Sequence, residues 1–420
     1  MTGHRPQVNP ERLQGNLKAL AAIGRNAAGG IDRQLGGPAD SEARAFLRRL
    51  WEDMGLLVRT DAIANLWGES PDAPEGKPIV LGSHHDTVPN GGAYDGALGV
   101  LMATEVKAAL LESGTRLRHP VTLLSLTGEE PNDFSVSTLG SKVLCGRLLE
   151  KDLEALKNRV TDESLEEAIR RLGGDIHRVA EYARLPKDQL AAFLECHIEQ
   201  GRRLYDAGEK IAAVTCITGI YREIIRVRGE ANHAGTTQRK DRRDALAAAA
   251  DVVLAAEELM RLSPAGALAA TVGRVKVMPN ASNIVPGLVT LTLDLRTAYS
   301  VLRAEALKQF GAAIHRIEEE RGVRIERDQN LDQPEMKMAP VVIRAFDDAA
   351  EALGEPRREL VSMAGHDAAN MARLTQAGML FVSTVDGYSH CPQEAAPDHA
   401  VAVAAQAMLE AVLLLDGRLT

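Results

Sequence analysis

The sequence is poor in aromatic residues, which make up 3% of its 420 positions. Few rings are therefore available to stack on bases, and 49 Lys and Arg against 58 Asp and Glu give a net charge of −9. Both features argue against nucleic acid as a partner. The sequence also lacks an apolar run of about 18 residues and, at its start, the apolar core of a signal peptide. We therefore expect no membrane partner.

Cysteine is scarce as well. The four cysteines (Cys145, Cys196, Cys216 and Cys391) are isolated, and none forms a CxxC pair. Isolated cysteines indicate reduced thiols rather than a disulfide framework or a zinc ribbon. We therefore expect a cytoplasmic protein.

What is present is typical of a folded globular chain, with 45% hydrophobic and 25% charged residues. Apolar runs at 78–83 and 121–126 flank a segment with helical periodicity at 97–111. A strand–helix–strand order predicts an α/β fold with a mostly parallel sheet.

From about residue 212 the pattern changes. Apolar and polar residues alternate at 223–229 and 289–296, next to amphipathic helices at about 242–261 and 299–321. Such alternation predicts an antiparallel sheet with one covered face, in a separate α+β domain. The α/β pattern resumes after about 331, so the sequence predicts a discontinuous first domain, residues 1–211 and 331–420, with an inserted domain at 212–330.

Polar side chains follow the first predicted strand. His84 and Asp86 come where it ends, and Asp95 lies nine residues after Asp86 in a glycine-rich loop that precedes a helix. Parallel α/β sheets bind ligands at the carboxyl ends of their strands. Imidazole with carboxylate suits zinc, manganese, cobalt or nickel. The alternative is that Asp95 only caps the helix and that the histidines lie on the surface.

Two adjacent glutamates, Glu129 and Glu130, follow the second predicted strand. Adjacent side chains on extended backbone point in different directions, so one carboxylate can bind a cation while the other faces a substrate. Burying both is costly without a compensating cation, and the alternative is that both are solvated. His197 and His390 lie in further polar segments, where a lone histidine is more often structural than a ligand.

Ordered motifs spread from about residue 82 to 392 carry a family resemblance: GSHHDTVPNGGAYDGALGVL, TGEE, LGS, HIEQG, GEANHAGTT, NASNIVPG, LDLR, AGHDA and SHCP. The chain resembles the metallohydrolases that include aminoacylases and glutamate carboxypeptidases. Within them it resembles the hydantoinase/carbamoylase amidases, a branch with N-carbamoyl-L-amino acid hydrolases, β-ureidopropionases and allantoate amidohydrolases. The resemblance implies a di-metal catalytic domain (1–211 and 331–420) and a lid/dimerisation domain (212–330).

The resemblance also implies two divalent metal ions per subunit, with zinc, manganese, cobalt or nickel as candidates. The implied ligands are His84, Asp95 and His197 for one ion, and Asp95, Glu130 and His390 for the other, with Asp95 bridging. Asp86 would orient His84. Glu129 would be the general base, taking a proton from water and returning it to the leaving nitrogen.

The inserted domain contributes His233, Asn283 and Arg296. An arginine can bind a carboxylate through two parallel hydrogen bonds. The alternatives are that His233 and Asn283 are loop residues satisfying nearby backbone and that Arg296 is an ordinary surface arginine. The resemblance implies that Asn283 and Arg296 bind a substrate carboxylate and that His233 polarises the scissile carbonyl across a homodimer interface. It further implies substrate contact for Gln200, and places His366 near the site without an assigned role.

We therefore predict a metal-dependent amidohydrolase that cleaves a linear, non-peptide C–N bond in a small carboxylate-bearing substrate. N-carbamoyl-L-amino acids or similar ureido acids are the first choice. Allantoate and N-acyl amino acids are the alternatives, and a non-catalytic metal-binding protein is the reading from a different class. The loops at 131–137 and 238–240 depart from the family's usual pattern, which bears on the substrate's side chain or leaving group.

Overall fold

The computed structural model describes residues 5–419, and the chain divides into two compact units. Unit 2 comprises Cys216–Met336 and Val361–Gly365, and unit 1 comprises the other described residues. The boundaries thus fall after 215 and 336 rather than after 211 and 330, because strands extend past the expected limits. The return of residues 361–365 to unit 2 was not expected from the sequence.

The strands of the described chain are β1 Leu57–Thr60, β2 Leu66–Glu69, β3 Ile79–His84, β4 Val121–Leu126, β5 Ala192–Ile198, β6 Ile211–Ile217, β7 Gly219–Arg228, β8 Asn232–His233, β9 Leu268–Met278, β10 Ile284–Val285, β11 Leu288–Thr297, β12 Arg324–Gln333, β13 Met336–Lys337, β14 Glu359–Ser362 and β15 Gln376–Val382. The α-helices are α1 Pro10–Ala22, α2 Pro38–Asp53, α3 Ala97–Glu112, α4 Leu139–Leu144, α5 Glu150–Glu154, α6 Leu165–Arg171, α7 Val179–Tyr182, α8 Arg203–Ala207, α9 Ala245–Leu262, α10 Ser300–Arg321, α11 Pro340–Ala352, α12 Asp367–Met371 and α13 Asp398–Arg418.

Unit 1 is built on a nine-stranded mixed sheet in the order β1-β2-β4-β3-β5-β15-β6-β13, with β14 beside β6. At its centre β4, β3, β5 and β15 run parallel, whereas β2 and β6 pair antiparallel on either side. Every residue of β3, β4 and β5 is buried, as expected for strands covered on both faces. The predicted α/β fold class is confirmed.

The helices of unit 1 cover this sheet with apolar side chains. α3 is buried almost all round, because it packs against β3, β4 and β5 as well as α1 and α13. α13 is long and apolar enough to cross a membrane by length and composition, yet 67% of that window is buried inside the structure. It packs against α11, α3 and β15. A buried core helix can be as long and as apolar as a membrane-spanning helix, and α13 lies in the core of unit 1.

Unit 2 is built on a four-stranded antiparallel sheet in the order β12-β7-β11-β9, with β8 and β10 forming a separate two-stranded pair. Buried and partly exposed residues alternate along β11 without interruption, so one face of the sheet carries the core. α9 and α10 pack on that face, where Ile225, Leu291 and Phe310 are fully buried. The predicted alternating strands and two helices are confirmed.

Asp40 and Ser41 are of residue types that often cap helices, but neither is the N-cap of α2, which begins at Pro38 after Gly37. The carboxylate of Asp40 instead pairs with Arg44 at 2.7 Å and with His85 at 2.8 Å, and all three side chains are buried. These long-range partners are absent from the local pattern of a helix cap.

Candidate active site

The candidate active site lies in unit 1, where neighbouring parallel strands end. His84 is the last residue of β3, His197 lies one residue from the end of β5, and Glu129 and Glu130 follow β4. Adjacent parallel strands present these ends at the same edge of the sheet. Gly96, which precedes α3, has φ +64°, and a Cβ there would lie 2.3 Å from the His84 ring. Only glycine allows this loop to hold Asp95 against His84.

Asp95 lies between three histidines. Its Oδ1 is 3.4 Å from His84 Nε2 and 3.1 Å from His197 Nε2. Its Oδ2 is 3.3 Å from His390 Nε2, which is also 3.3 Å from Glu130 Oε1. The two oxygens of one carboxylate thus face two different groups of ligands. Asp95 does not cap α3, because Gly96 is the N-cap and no side chain caps the helix.

These side chains form two clusters whose potential ligand atoms lie within 4.8 Å of one another: His84, Asp95 and His197, and Asp95, Glu130 and His390. All but His390 are buried. The structure therefore brings together all five residues that the sequence predicts as metal ligands.

The hydrogen bonds of the histidines decide which nitrogen is available to a cation. Nδ1 of His84 lies 3.1 Å from the carbonyl oxygen of Asp86, and Nδ1 of His197 lies 3.0 Å from that of Ile198. Because a carbonyl only accepts, each Nδ1 carries a proton, and Nε2 is the nitrogen left to face a cation. Both Nε2 atoms and Glu130 Oε1 are buried without a hydrogen bond from the described residues. This donor set fits a divalent cation.

Glu129 lies beside the first cluster, with Oε2 3.8 Å from His84 Nε2. Burial raises the pKa of Glu129 well above its usual range; His84 opposes this rise, and the charges of Glu130 and Asp367 add to it. A glutamate of raised pKa is suited to both accepting and returning a proton near neutral pH. The alternative that Glu129 and Glu130 are both solvated does not hold, since both are buried.

Asp86 connects the two strand ends more directly than the sequence indicates. Its Oδ1 accepts a hydrogen bond from Glu129 N at 3.2 Å, and its Oδ2 accepts one from Glu130 N at 3.1 Å. The carboxylate is 3.5 Å from His84 Nδ1, which is closer to the carbonyl oxygen of Asp86. Asp86 therefore fixes the backbone of both glutamates.

Two further predicted residues lie against these clusters. Gln200 Nε2 donates to Asp95 Oδ2 at 2.7 Å and lies 3.4 Å from His390 Nε2. His366 is buried with its ring centroid 4.4 Å from that of His197. Burial, with the charge of His197, lowers the pKa of His366 well below its usual range. This favours the neutral form of His366, whose ring packs edge-on against that of His197.

The other three predicted residues belong to unit 2. His233 in β8 pairs with Ile284 in β10, next to Asn283. Nδ1 of His233 accepts hydrogen bonds from the backbone N–H groups of Gly235 and Thr236, at 3.1 and 3.2 Å. His233 thus pairs with the backbone of its own loop, as an ordinary loop residue would, and its proton is left on the exposed Nε2.

Arg296 is held by its own strand and by the returning segment. Nε donates to Asp294 Oδ1 at 2.7 Å, and Nη1 donates to the carbonyl oxygen of Met363 at 3.2 Å. Arg222 donates to the other oxygen of Asp294 at 2.6 Å. The guanidinium is therefore fixed in direction while some of its N–H groups remain available.

Comparison with known proteins identifies the family of this chain. A model described as peptidase family M20/M25/M40 matches residues 80–414. The chain belongs to this family. Members of the M20 family are metal-dependent hydrolases, in agreement with the two candidate clusters of ligands.

Relatives within the M20 family match nearly the whole chain. An N-carbamoyl-L-amino acid amidohydrolase of Geobacillus stearothermophilus is 34% identical over 407 residues, which cover 96% of this chain and 98% of the relative. An allantoate amidohydrolase of Bacillus subtilis is 32% identical, with 90% and 91% covered. A hydantoinase/carbamoylase family amidase of Burkholderia multivorans has a solved structure with TM-score 0.88, 31% identity, and 97% and 98% covered. The predicted resemblance is confirmed.

In this M20 family member the sequence did not reveal the residues that support the clusters. Glu394 Oε1 accepts from the backbone N–H groups of Tyr94 and Asp95 at 2.8 and 3.0 Å. Its Oε2 accepts from His390 N at 3.3 Å and from Ser389 Oγ at 3.1 Å. Glu394 thus ties Asp95 to His390. Its position four residues after His390 was the available signal, but only the fold shows the contact with Asp95.

Proposed function

We propose that the protein is a metal-dependent amidohydrolase that cleaves N-carbamoyl-L-amino acids or similar ureido acids at a linear, non-peptide C–N bond. The observation that carries this proposal is the shared carboxylate of Asp95 between two ligand clusters, with Glu129 beside them. The supporting comparison is the 34% identity to an N-carbamoyl-L-amino acid amidohydrolase over almost the whole chain.

We propose two divalent ions per subunit. One is assigned to His84, Asp95 and His197 and the other to Asp95, Glu130 and His390, and zinc, manganese, cobalt and nickel all suit imidazole and carboxylate donors. When bound, such ions supply Lewis-acid polarisation and make water more acidic.

The proposed roles of the chain's own groups follow from their contacts. Glu129 accepts a proton from the attacking water and delivers it to the leaving nitrogen, and its raised pKa makes it a stronger base for the first step. Asp86 keeps Glu129 and Glu130 in place through their backbone N–H groups. Hydrolysis of a carbamoyl substrate takes up one water and releases ammonia, carbon dioxide and the amino acid.

The substrate-binding roles are also proposals. Arg296 and Asn283 bind the carboxylate, and the fixed guanidinium of Arg296 favours a planar, two-point contact. His233 polarises the scissile carbonyl, for which a protonated Nε2 is the required donor. Gln200, which already contacts Asp95, also contacts the substrate.

The decisive experiment measures ammonia and amino acid release from N-carbamoyl-L-amino acids, allantoate and N-acetyl amino acids after loading with each candidate metal. Ammonia from a carbamoyl substrate supports the proposal, and activity should disappear with a chelator and return on reloading. E129Q should bind metal as the wild type does but lose about 100- to 10,000-fold in kcat. Retained turnover would remove Glu129 as the base. A protein that binds no divalent ion would instead favour a non-catalytic role.

Allantoate is the second candidate substrate, favoured by the 32% identity to an allantoate amidohydrolase. An allantoate-specific enzyme would release ammonia from allantoate and none from N-carbamoyl-L-amino acids. Amino acid release without ammonia would identify an N-acyl amino acid hydrolase.

We further propose a homodimer formed through unit 2. β9 is an edge strand of its sheet, and Val275 and Met278 on it are each 49% exposed. The neighbouring helix α9 exposes Leu254 and Leu262 to 60% and 65%. An unpaired edge beside an exposed apolar face is typical of a protein interface. We also propose a cytoplasmic location, since the described residues contain four cysteine thiols and no disulfide.

A further inference from the structure

A second cavity lies in unit 1, at the opposite end of the sheet from the candidate active site. It has a volume of about 600 Å³ and includes Val121, the first residue of β4, and the loop at 70–74. The candidate catalytic glutamates follow the other end of the six-residue strand β4, roughly 20 Å away. The volume is within the range of small-molecule sites.

The distinctive residue of this cavity is Lys107. Its side chain lies in α3, is 5% exposed, and donates from Nζ to the carbonyl oxygen of Val121 at 2.7 Å. It forms no ion pair within the described residues. Burial lowers its pKa to about 8, so the amine still carries a proton most of the time at neutral pH.

The two buried arginines of the described chain are compensated in different ways. Arg44 pairs with Asp40, whereas Arg33 donates to the carbonyl oxygens of Leu20, Ile23 and His85. Since buried charges are normally compensated, Lys107 stands out as a cation that lines a cavity with two unused N–H donors.

The remaining lining complements this cation. Arg116 lines the cavity and makes no hydrogen bond or ion pair with any described residue, and His119 adds an imidazole. Asp72 is the single acidic group among the lining residues. Leu56, Leu110 and Leu117 supply apolar wall. The cavity therefore combines a net positive charge with an apolar surface.

We propose that this cavity, which we call the Lys107 pocket, binds a small organic carboxylate with a short aliphatic chain. The carboxylate contacts Lys107 and Arg116, and the chain packs against the leucines. A carboxylate supplies the charge that Lys107 lacks and accepts its unused N–H donors. The aliphatic chain distinguishes this ligand from inorganic phosphate, which has nothing to place on the leucine wall.

The probe is 4-methylpentanoate, titrated calorimetrically into the metal-loaded protein, with 4-methylpentanamide and inorganic phosphate as comparison ligands. We expect K107M to weaken binding at least 10-fold, R116A about 3- to 10-fold, and K107R less than 3-fold. K18M removes an exposed lysine of α1 and should leave the affinity unchanged. R296A should also leave it unchanged, which separates this pocket from any carboxylate binding at the proposed active site.

Several results would overturn the proposal. Equal affinity of K107M and wild type would show that Lys107 does not bind the ligand, and equal binding of the amide would show that charge is not recognised. Phosphate binding as tight as 4-methylpentanoate would remove the aliphatic specificity. Arg116 is exposed, so R116A keeps the test decisive if K107M fails to fold. Unchanged affinity in R116A would then refute the pocket.

Discussion

Replacing Asp86 by Asn tests how strongly one carboxylate organises the candidate active site. Asp86 accepts one backbone hydrogen bond from Glu129 and one from Glu130. Asn keeps one acceptor oxygen but turns an NH₂ group toward the other backbone N–H. The variant therefore loses one hydrogen bond to a charged acceptor and leaves a buried donor unpaired, a cost of about 2 to 4 kcal/mol.

The same change should reduce turnover. The loop can relieve the contact between two donors only by moving, and a displacement of about 1 Å of a catalytic group costs on the order of 100-fold in rate. We expect D86N to lower kcat by about that factor, with the urea midpoint also lowered. Metal content, measured in parallel, separates loop movement from loss of ligands. D53N, which changes an exposed aspartate of α2, is the matched control.

A D86N enzyme with kcat within about three-fold of wild type and an unchanged urea midpoint would refute this role of Asp86. That result would mean that the Glu129–Glu130 backbone is held by other contacts. Those contacts are identifiable, since Thr138 N donates to the carbonyl oxygen of Glu129 at 2.7 Å and Leu139 N donates to that of Gly128 at 2.9 Å.

Three further predictions concern other parts of the molecule. R44M should lower the free energy of unfolding by about 3 to 5 kcal/mol at pH 7, because it leaves the buried carboxylate of Asp40 without its cationic partner. Burial would raise the pKa of Asp40, but Arg44 and His85 hold it below its usual value. The destabilisation caused by R44M should therefore shrink below about pH 4, and equal destabilisation at pH 7 and pH 3 would contradict this prediction. R296A should raise KM about 10- to 100-fold for carboxylate substrates with less effect on kcat; an unchanged KM would exclude the clamp. L254E should halve the mass measured by light scattering without unfolding the protein, and a wild-type monomer would exclude the dimer.

The positions of residues at the ends of strands and the starts of helices were predictable, because the hydrophobic pattern of a few neighbouring residues determines where each strand or helix ends. The buried runs of β3 and β4 placed His84 and Glu129 at neighbouring strand ends, and the alternation of β11 placed Arg296 on a half-exposed strand. The glycine-rich loop before α3 identified Asp95. These predictions needed only the periodicity of strands and helices and the place where parallel sheets bind ligands.

What the sequence could not show are contacts between distant segments. Asp40 has the composition of a helix cap, but its partner His85 lies 45 residues away. Glu394 supports Asp95 across 299 residues, and Asp367 accepts from Ser141 Oγ at 2.5 Å across 226. The spacing of apolar and polar residues along the sequence does not predict such pairs. The bond between Asp294 and Arg222 depends likewise on the register between β11 and β7.

The position of β15 in the sheet determines when unit 1 is able to fold. β15 lies between β5 and β6 and pairs with both, yet it begins at residue 376 of 420. A ribosome must therefore make the other 14 strands of the described chain before the central strands of the larger sheet can meet. The four strands of the smaller sheet all lie between residues 219 and 333, so unit 2 can form first. Until β15 arrives, the apolar edge of β5 is exposed, which makes late synthesis the stage at which this chain is most prone to aggregation.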